Sequence, residues 1–408
     1  NDFLACRGGL TSSAIISPAA SSWSLRQRQT GAIMKLPLDY RADITFGARV
    51  RPSPFFDRTV AAGCTAFTIY NHMYMPTSYG DAEGEYWRLI NDVSLWDVAC
   101  QRQVELFGPD ALNLAQLLTP RDLSDCIVGQ GLYVPICNHF GGMLNDPVLL
   151  RLAEDQIWLS LADGDLLLWV DAIAKERNMY VLVTEPDASP LAVQGPKAED
   201  VIAELFGDWV RELRYFWFRE TELQGIPLVL ARSGWSKQGG YELYLTDGAQ
   251  GGRLWDLVMS AGAPHGIGPG TPNQIERTES ALLSHGGDMD ADVSPLEIGL
   301  ERFCDLDKPG EYIGMENLRH MRDSGPPRLL VGLFIDGEPL PNSAGKWPVH
   351  QAGAAVGQVS SAVHSPRLHR NIAMALLKSE IAQIGNQVQV TTPAGERRAE
   401  VTELPFIR

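Results

Sequence analysis

The stretch 228–246, LVLARSGWSKQGGYELYLT, leaves the chain few ways to run. Val229–Arg232 is apolar and β-prone. Ser233, Gly234, Gly239 and Gly240 interrupt it, and Tyr241–Leu245 resumes in alternation. A period of two places Glu242 and Tyr244 on one face of the second strand and Leu243 and Leu245 on the other. The expected unit is strand, glycine-rich turn, strand. Glycines let the backbone turn tightly and let a flat ligand approach closely. Trp235 in that turn offers a stacking surface, and Glu242 offers a bidentate acceptor to a planar heterocycle with adjacent N–H donors. Spacing alone favours a plainer alternative, a hairpin with an exposed Trp and a solvated Glu.

A chain of 408 residues suggests two to three domains. Its 45 % hydrophobic and 21 % charged content are ordinary for a globular protein. A net charge of −16 argues against a general binder of nucleic acid or anionic membrane, while leaving room for a local basic pocket. No apolar run reaches the length of a membrane span. Cys6, Cys64, Cys100, Cys126, Cys137 and Cys304 form no CxxC pair, so neither a disulfide framework nor a metal site is indicated. Reduced thiols in a reducing, cytoplasmic compartment are the expectation. Residues 1–45 are set apart as a peripheral or disordered extension, rich in Ser, Ala, Gly and Arg up to Ile33. A transit peptide, a tag and translation upstream of Met34 all remain open.

Along the chain, Phe67–Tyr70 reads as a strand and Glu83–Asn91 as a helix. Ser94–Ala99 and Gln103–Phe107 read as strands, and Ala111–Leu118 as a helix. Gly129–Ile136 reads as one strand, Gly141–Asp146 as a turn, and Pro147–Leu152 and Ile157–Ala162 as strands. A helix is expected over 163–176, a strand over 214–220 and a helix over 252–261. Residues 265–270 read as a loop, with Thr271 as N-cap, Pro272 at the first helical position and the helix ending at Gly286-Gly287. Ser324-Gly325-Pro326-Pro327 is the clearest linker, and the short strands of 328–408 suggest a small antiparallel barrel. Asp146 read alone is a turn residue bonding its own backbone.

Several of these segments together resemble the glycine-cleavage T protein (aminomethyltransferase) family. The segment Ser233-Gly234-Trp235-Ser236-Lys237-Gln238-Gly239-Gly240-Tyr241-Glu242-Leu243 is similar to its folate-binding signature. SLWDVA, GPDA, LAVQGP, SPLEIGL, YIG and VGQVSSAV match further family elements in order, and the resemblance covers roughly residues 50–408. Trp235 and the Lys237-Gln238 pair depart from aminomethyltransferase proper. With YNHMYMPT, GGMLNDP, LADGDLL and IERTESALLSHGGDM, they are similar to the branch containing dimethylsulfoniopropionate (DMSP) demethylase.

The resemblance implies an α+β fold of three domains with a C-terminal antiparallel β-barrel. A discontinuous folate-binding domain would take 46–103 and 188–290, an α+β domain 104–187 and 291–325, and the barrel 326–408. It implies methyl transfer from DMSP to tetrahydrofolate, giving 3-methylthiopropionate and 5-methyltetrahydrofolate, with no need of metal or flavin. Asp146 would be the catalytic carboxylate and also touch the methyl donor. Tyr133, Trp235, Glu242, Tyr244 and Arg277 would hold the folate. Ser160 would bond the donor's carboxylate, and Trp209 would offer its onium centre an aromatic face. Arg232 and Lys237 compete as the cation facing that carboxylate. Arg277 read without the family is a helix residue paired with Glu276 or Glu279. The expected partners are small molecules, with a homodimer possible. A demethylase of another methylated molecule, a lipoyl-dependent aminomethyltransferase, a folate-binding protein without activity and a structural protein are the competing readings.

Overall fold

Three sheets carry the fold, each explained by where its apolar residues fall. In a computed structural model, residues 49–342 and 345–408 are described and lie in one compact unit. The expectation for residues 1–45 lies outside the described residues.

The largest open sheet has six strands, in the order Phe218–Leu223, Ile226–Ala231, Gly240–Leu245, Ser189–Gln194, Val93–Asp97, Ile267–Gly270. Neighbours are antiparallel, except that Ile267–Gly270 runs parallel to Val93–Asp97. Its central strands are buried on both faces. Leu95, Leu191, Val193, Tyr241, Leu243 and Leu245 pack on the helices Ala198–Phe206 and Gly251–Gly262. The opposite face, with Val229, Ala231 and Tyr244, meets Leu150, Leu152 and Trp158 of a second sheet. A central strand covered on both sides is hydrophobic at nearly every position.

The second sheet is antiparallel and five-stranded, in the order Leu182–Thr184, Gln103–Phe107, Gln156–Ser160, Val148–Ala153, Gly131–Tyr133. The helices Ala111–Leu118 and Leu166–Glu176 bury one of its faces. The C-terminal strands close into a six-stranded barrel, Arg328–Ile335, Arg370–Lys378, Ala354–Ser365, Trp347–Gln351, Gln387–Thr392, Gly395–Thr402, around Leu333, Val349, Val359, Ala373, Val390 and Val401.

Several local expectations are corrected. The strand expected over 129–136 is two, Gly131–Tyr133 and Ile136–Cys137, because Pro135 between them has no N–H to give a ladder. The expected turn 141–146 contains the strand Met143–Asn145, paired with Ile136–Cys137. The helix expected from Asp163 begins at Leu166. The strand expected from Arg214 begins at Phe218, after Phe216 at φ 62°. The loop expected at 265–270 holds the strand Ile267–Gly270. The next helix is Gln274–Glu279, capped not by Thr271 but by Asn273, whose carboxamide oxygen accepts from Ile275 and Glu276 N–H, both at 3.0 Å. It ends at Glu279 and not at Gly286-Gly287, with Ala281 turned to φ 54°.

Candidate active site

Tyr133 ends the edge strand of the five-stranded sheet, opposite Val148. Asp146 lies just before Val148, so a hairpin folds the two side chains together. The Tyr133 hydroxyl donates to Asp146 Oδ2 at 3.0 Å. The backbone carrying Asp146 is fixed by buried Asn145. That carboxamide donates to Ala162 O at 3.0 Å, and its oxygen accepts from Ala162 N at 3.0 Å and Asp146 N at 3.1 Å. Asp146 Oδ1 is shut off from solvent and has no hydrogen-bond partner. Burial pushes the carboxyl up to about 7, against a smaller downward pull from the Tyr133 hydroxyl. Burial, reinforced by the Asp146 charge, also raises the Tyr133 phenol far above its ordinary value. The Tyr70 phenol is raised likewise by burial, and then by the Cys100 and Asp146 charges.

Glu242 anchors a second polar group on the six-stranded sheet. It is buried, and its Oε2 accepts from the Ser233 hydroxyl at 2.5 Å and the Tyr244 hydroxyl at 3.2 Å. Burial raises its pKa, and both hydroxyls oppose the rise. The Tyr244 hydroxyl also reaches the Ser160 hydroxyl. Ser160 in turn accepts from Gln103 Nε2 at 3.0 Å. One polar chain therefore runs Ser160–Tyr244–Glu242–Ser233 and crosses from one sheet to the other. The turn is fitted around Gln194, which donates to Ser233 O at 3.1 Å and accepts from Ser236 Oγ at 2.8 Å. Only glycine serves at 240, where φ is +151° and a Cβ would stand 2.4 Å from Val193 O. The plainer alternative, a solvated Glu242, is excluded by its 5 % exposure.

Trp235 is half-buried, and its indole N–H donates to Leu283 O at 3.2 Å. The Arg277 guanidinium lies 5.8 Å from its ring centre. Arg277 itself is 1 % exposed and committed on every side. It donates to Gln274 Oε1 at 3.0 Å, Leu282 O at 3.3 Å, Asp288 at 2.6 Å and Ser361 at 2.6 Å. The expected pairing with Glu276 or Glu279 is corrected to Asp288. In this structure the Arg277 guanidinium also backs the Trp235 ring. Asp288 also accepts from Ser360 and Ser361 of the barrel, at 2.5 and 2.7 Å. A bulge between Val359 and Ser361 lets two consecutive serines address one carboxylate.

The structure does not bring Trp209 into either group. Its indole N–H donates to Phe206 O at 2.7 Å, its body packs on the helix-side core, and the Arg219 guanidinium lies 4.9 Å over the ring. The onium-binding role expected of Trp209 has one ring face already covered by a guanidinium. Arg232 is also spent, on Glu199 at 2.9 Å and on the carbonyls of Leu213 and Arg211. Lys237 is exposed. The reading from sequence missed Asp288 and Ser361 entirely. Their one signal was Ser360-Ser361 breaking the in–out alternation of a barrel strand.

Comparison with known proteins bears on the fold and the family. The GCVT N-terminal domain matches residues 55–308, and the glycine cleavage T-protein C-terminal barrel domain matches 328–407. Dimethylsulfoniopropionate demethylase DmdA of Ruegeria pomeroyi is 45 % identical over 89 % of this chain and 99 % of its own length. The aminomethyltransferase of Moorella thermoacetica is 31 % identical over 88 % of this chain and 99 % of its own. The crystal structure of aminomethyltransferase T from Bartonella henselae superposes with a TM-score of 0.78 at 22 % identity, covering 88 % of this chain and 98 % of that one. Two domain matches in sequence order, over a fold of two packed sheets and a closed barrel, make this chain a member of the glycine-cleavage T-protein family.

Proposed function

We propose that the protein is a tetrahydrofolate-dependent demethylase acting on DMSP, with Asp146 as its catalytic carboxylate. The observation that carries the residue assignment is the buried Asp146 Oδ1, which has no partner and belongs to a group poised near pH 7. A desolvated oxygen without a hydrogen bond is costly and calls for an explanation, here a ligand that completes it. The 45 % identity to the demethylase DmdA, against 31 % to an aminomethyltransferase, supports the choice of methyl donor.

Tetrahydrofolate supplies the N5 lone pair that takes the methyl, while the electrons of the broken S–C bond stay on sulfur, which becomes a neutral thioether in the 3-methylthiopropionate anion. Asp146 Oδ1 faces the N5 proton and accepts it, and Tyr133 holds the carboxylate by its other oxygen. The same negative charge steadies the cationic sulfonium beside it. Glu242, oriented by Ser233 and Tyr244, binds the N–H edge of the pterin, and Trp235 offers a stacking face propped by Arg277. Ser160 bonds the donor through the Tyr244 end of the same chain. The remaining acceleration comes from holding donor and acceptor in line.

The test is a product assay by mass spectrometry on purified protein with DMSP and tetrahydrofolate. Equal amounts of 5-methyltetrahydrofolate and 3-methylthiopropionate are expected. Absence of both overturns the reading.

A further inference from the structure

The Tyr133–Asp146 pair has a cationic neighbour that the mechanism above does not use. Phe303, at the end of the short turn Glu301–Phe303, has its ring centre 5.0 Å from that of Tyr133. Two guanidiniums lie over the Phe303 ring, Arg302 at 4.6 Å and Arg121 at 5.2 Å. Arg121 is committed, because it donates to the Tyr133 carbonyl at 2.5 Å. Arg302 has no ion pair or side-chain hydrogen bond among the described residues, and its ring contact is with Phe303. Its charge still reaches the Tyr133 phenol and favours the anion there. The acids nearby do not claim it. Asp305 acts on Arg121 and accepts from Asp122 N at 2.9 Å, and Glu301 is exposed.

The other arginines around the site are occupied. Arg51 and Arg102 share Glu185, Arg232 holds Glu199, and Arg277 holds Asp288. An exposed, uncommitted guanidinium over an aromatic ring, beside a site for two carboxylate-bearing molecules, is available as an anion fork.

We infer that Arg302 is the carboxylate-binding residue of this site. Its planar fork takes the carboxylate of a ligand whose reacting end lies at Asp146, and the Phe303 ring supports it from one side. The inference rests on the demethylase reading, which supplies two such groups, the propionate of DMSP and the glutamate end of tetrahydrofolate.

The test compares wild type with Arg302→Gln and Arg302→Lys in the full chain. Two ligand pairs separate the sources. DMSP is compared with trimethylsulfonium, which lacks the carboxylate. Tetrahydrofolate is compared with tetrahydropteroate, which lacks the glutamate. If the donor carboxylate is bound, Arg302→Gln raises KM for DMSP by about tenfold or more, as loss of a charge-assisted hydrogen bond requires. In that case kcat and trimethylsulfonium binding stay unchanged. If the glutamate is bound, tetrahydrofolate affinity falls by a similar factor and tetrahydropteroate affinity does not. In either case Arg302→Lys recovers part of the loss, because it restores the charge but not the fork. Unchanged constants for DMSP and tetrahydrofolate in an active Arg302→Gln protein overturn the inference. So does an equal loss for each ligand and its carboxylate-free analogue. Failure of the underlying reading shows separately, as a wild-type protein that transfers no methyl group, and it removes the inference too.

Discussion

At the scale of single residues, the chemistry concentrates in one carboxyl group. Asp146 has its pKa raised from 3.8 to about 7 by burial. A carboxyl raised in the folded state favours folding while protonated. Its contribution is fully present below pH 3.8 and is lost as pH rises through about 7. Wild type should therefore lose thermal stability across that window, and neutral Asp146→Asn should lose less, as melting curves at pH 4 and pH 8 will show. Activity runs the other way, since the carboxylate must be ionised to accept a proton. Turnover should climb with pH toward a limb near 7. Asp146→Asn should keep folate binding yet drop kcat by roughly 10²–10⁴-fold, the usual share of a general base. Removing the Tyr133 hydroxyl deletes a bond that lowers the Asp146 pKa. Tyr133→Phe should therefore move the limb of the pH–rate profile to higher pH, and an unmoved limb would deny Asp146 its place in it. The Tyr133–Asp146 pair was within reach of the sequence because thirteen positions along a hairpin bring the two together, although the resemblance was needed to lift Asp146 above an ordinary turn residue. The pairing of Arg277 was misread because its decisive partners lie off its own helix, 11 and 84 positions away. No local pattern announces such a pairing.

At the scale of elements, the helix Gln274–Glu279 is short and carries little stability of its own. Its hold comes from its side chains. Arg277 and Asp288, 1 % and 3 % exposed, form a buried ion pair capped by two barrel serines. Arg277→Ala strands the Asp288 charge in the interior and should cost about 3–5 kcal/mol by urea unfolding. A loss below about 1 kcal/mol, the range of an exposed pair, would show that the pair is not sealed from water. Asn273→Ala, which removes the cap, should cost about 1 kcal/mol. The cap was misplaced from sequence because Thr271-Pro272 has the composition of a helix start. Asn273 wins because one carboxamide oxygen reaches two backbone N–H groups. Long periodic elements such as Ala82–Asn91 and Gly251–Gly262 were legible to within a residue or so, because their buried residues recur at helical spacing. The strand Ile267–Gly270 was not, since IGPG has no apolar alternation. Only its parallel pairing with Val93–Asp97 makes it a strand.

At the scale of the whole molecule, the barrel is tied to the sheets by polar groups as well as by apolar packing. Glu279 is fully buried. It accepts from the Tyr86 hydroxyl at 3.0 Å, from Ser365 and from the Arg367 guanidinium, so one carboxylate joins three distant parts of the chain. Ending the chain at Pro327 would strip Glu279 and Asp288 of their barrel partners. The shortened protein should show no cooperative thermal transition, and a sharp one would mean that the sheets stand alone. The barrel's six strands follow one another in sequence, which is why alternation and turns sufficed to foresee them. The six-stranded sheet is built otherwise. Val93–Asp97 lies one strand in from its edge, and both its neighbours, Ser189–Gln194 and Ile267–Gly270, come much later in the chain. Between them stand Gln103–Thr184, which hold every strand of the five-stranded sheet. On a ribosome, which feeds the chain out at about 5–20 residues per second, the inserted sheet can close while its host still waits. Val93–Asp97 therefore leaves the exit tunnel as an apolar strand with both edges open, for the seconds until its partners are made. That interval, more than the finished protein, is where a chaperone has something to hold.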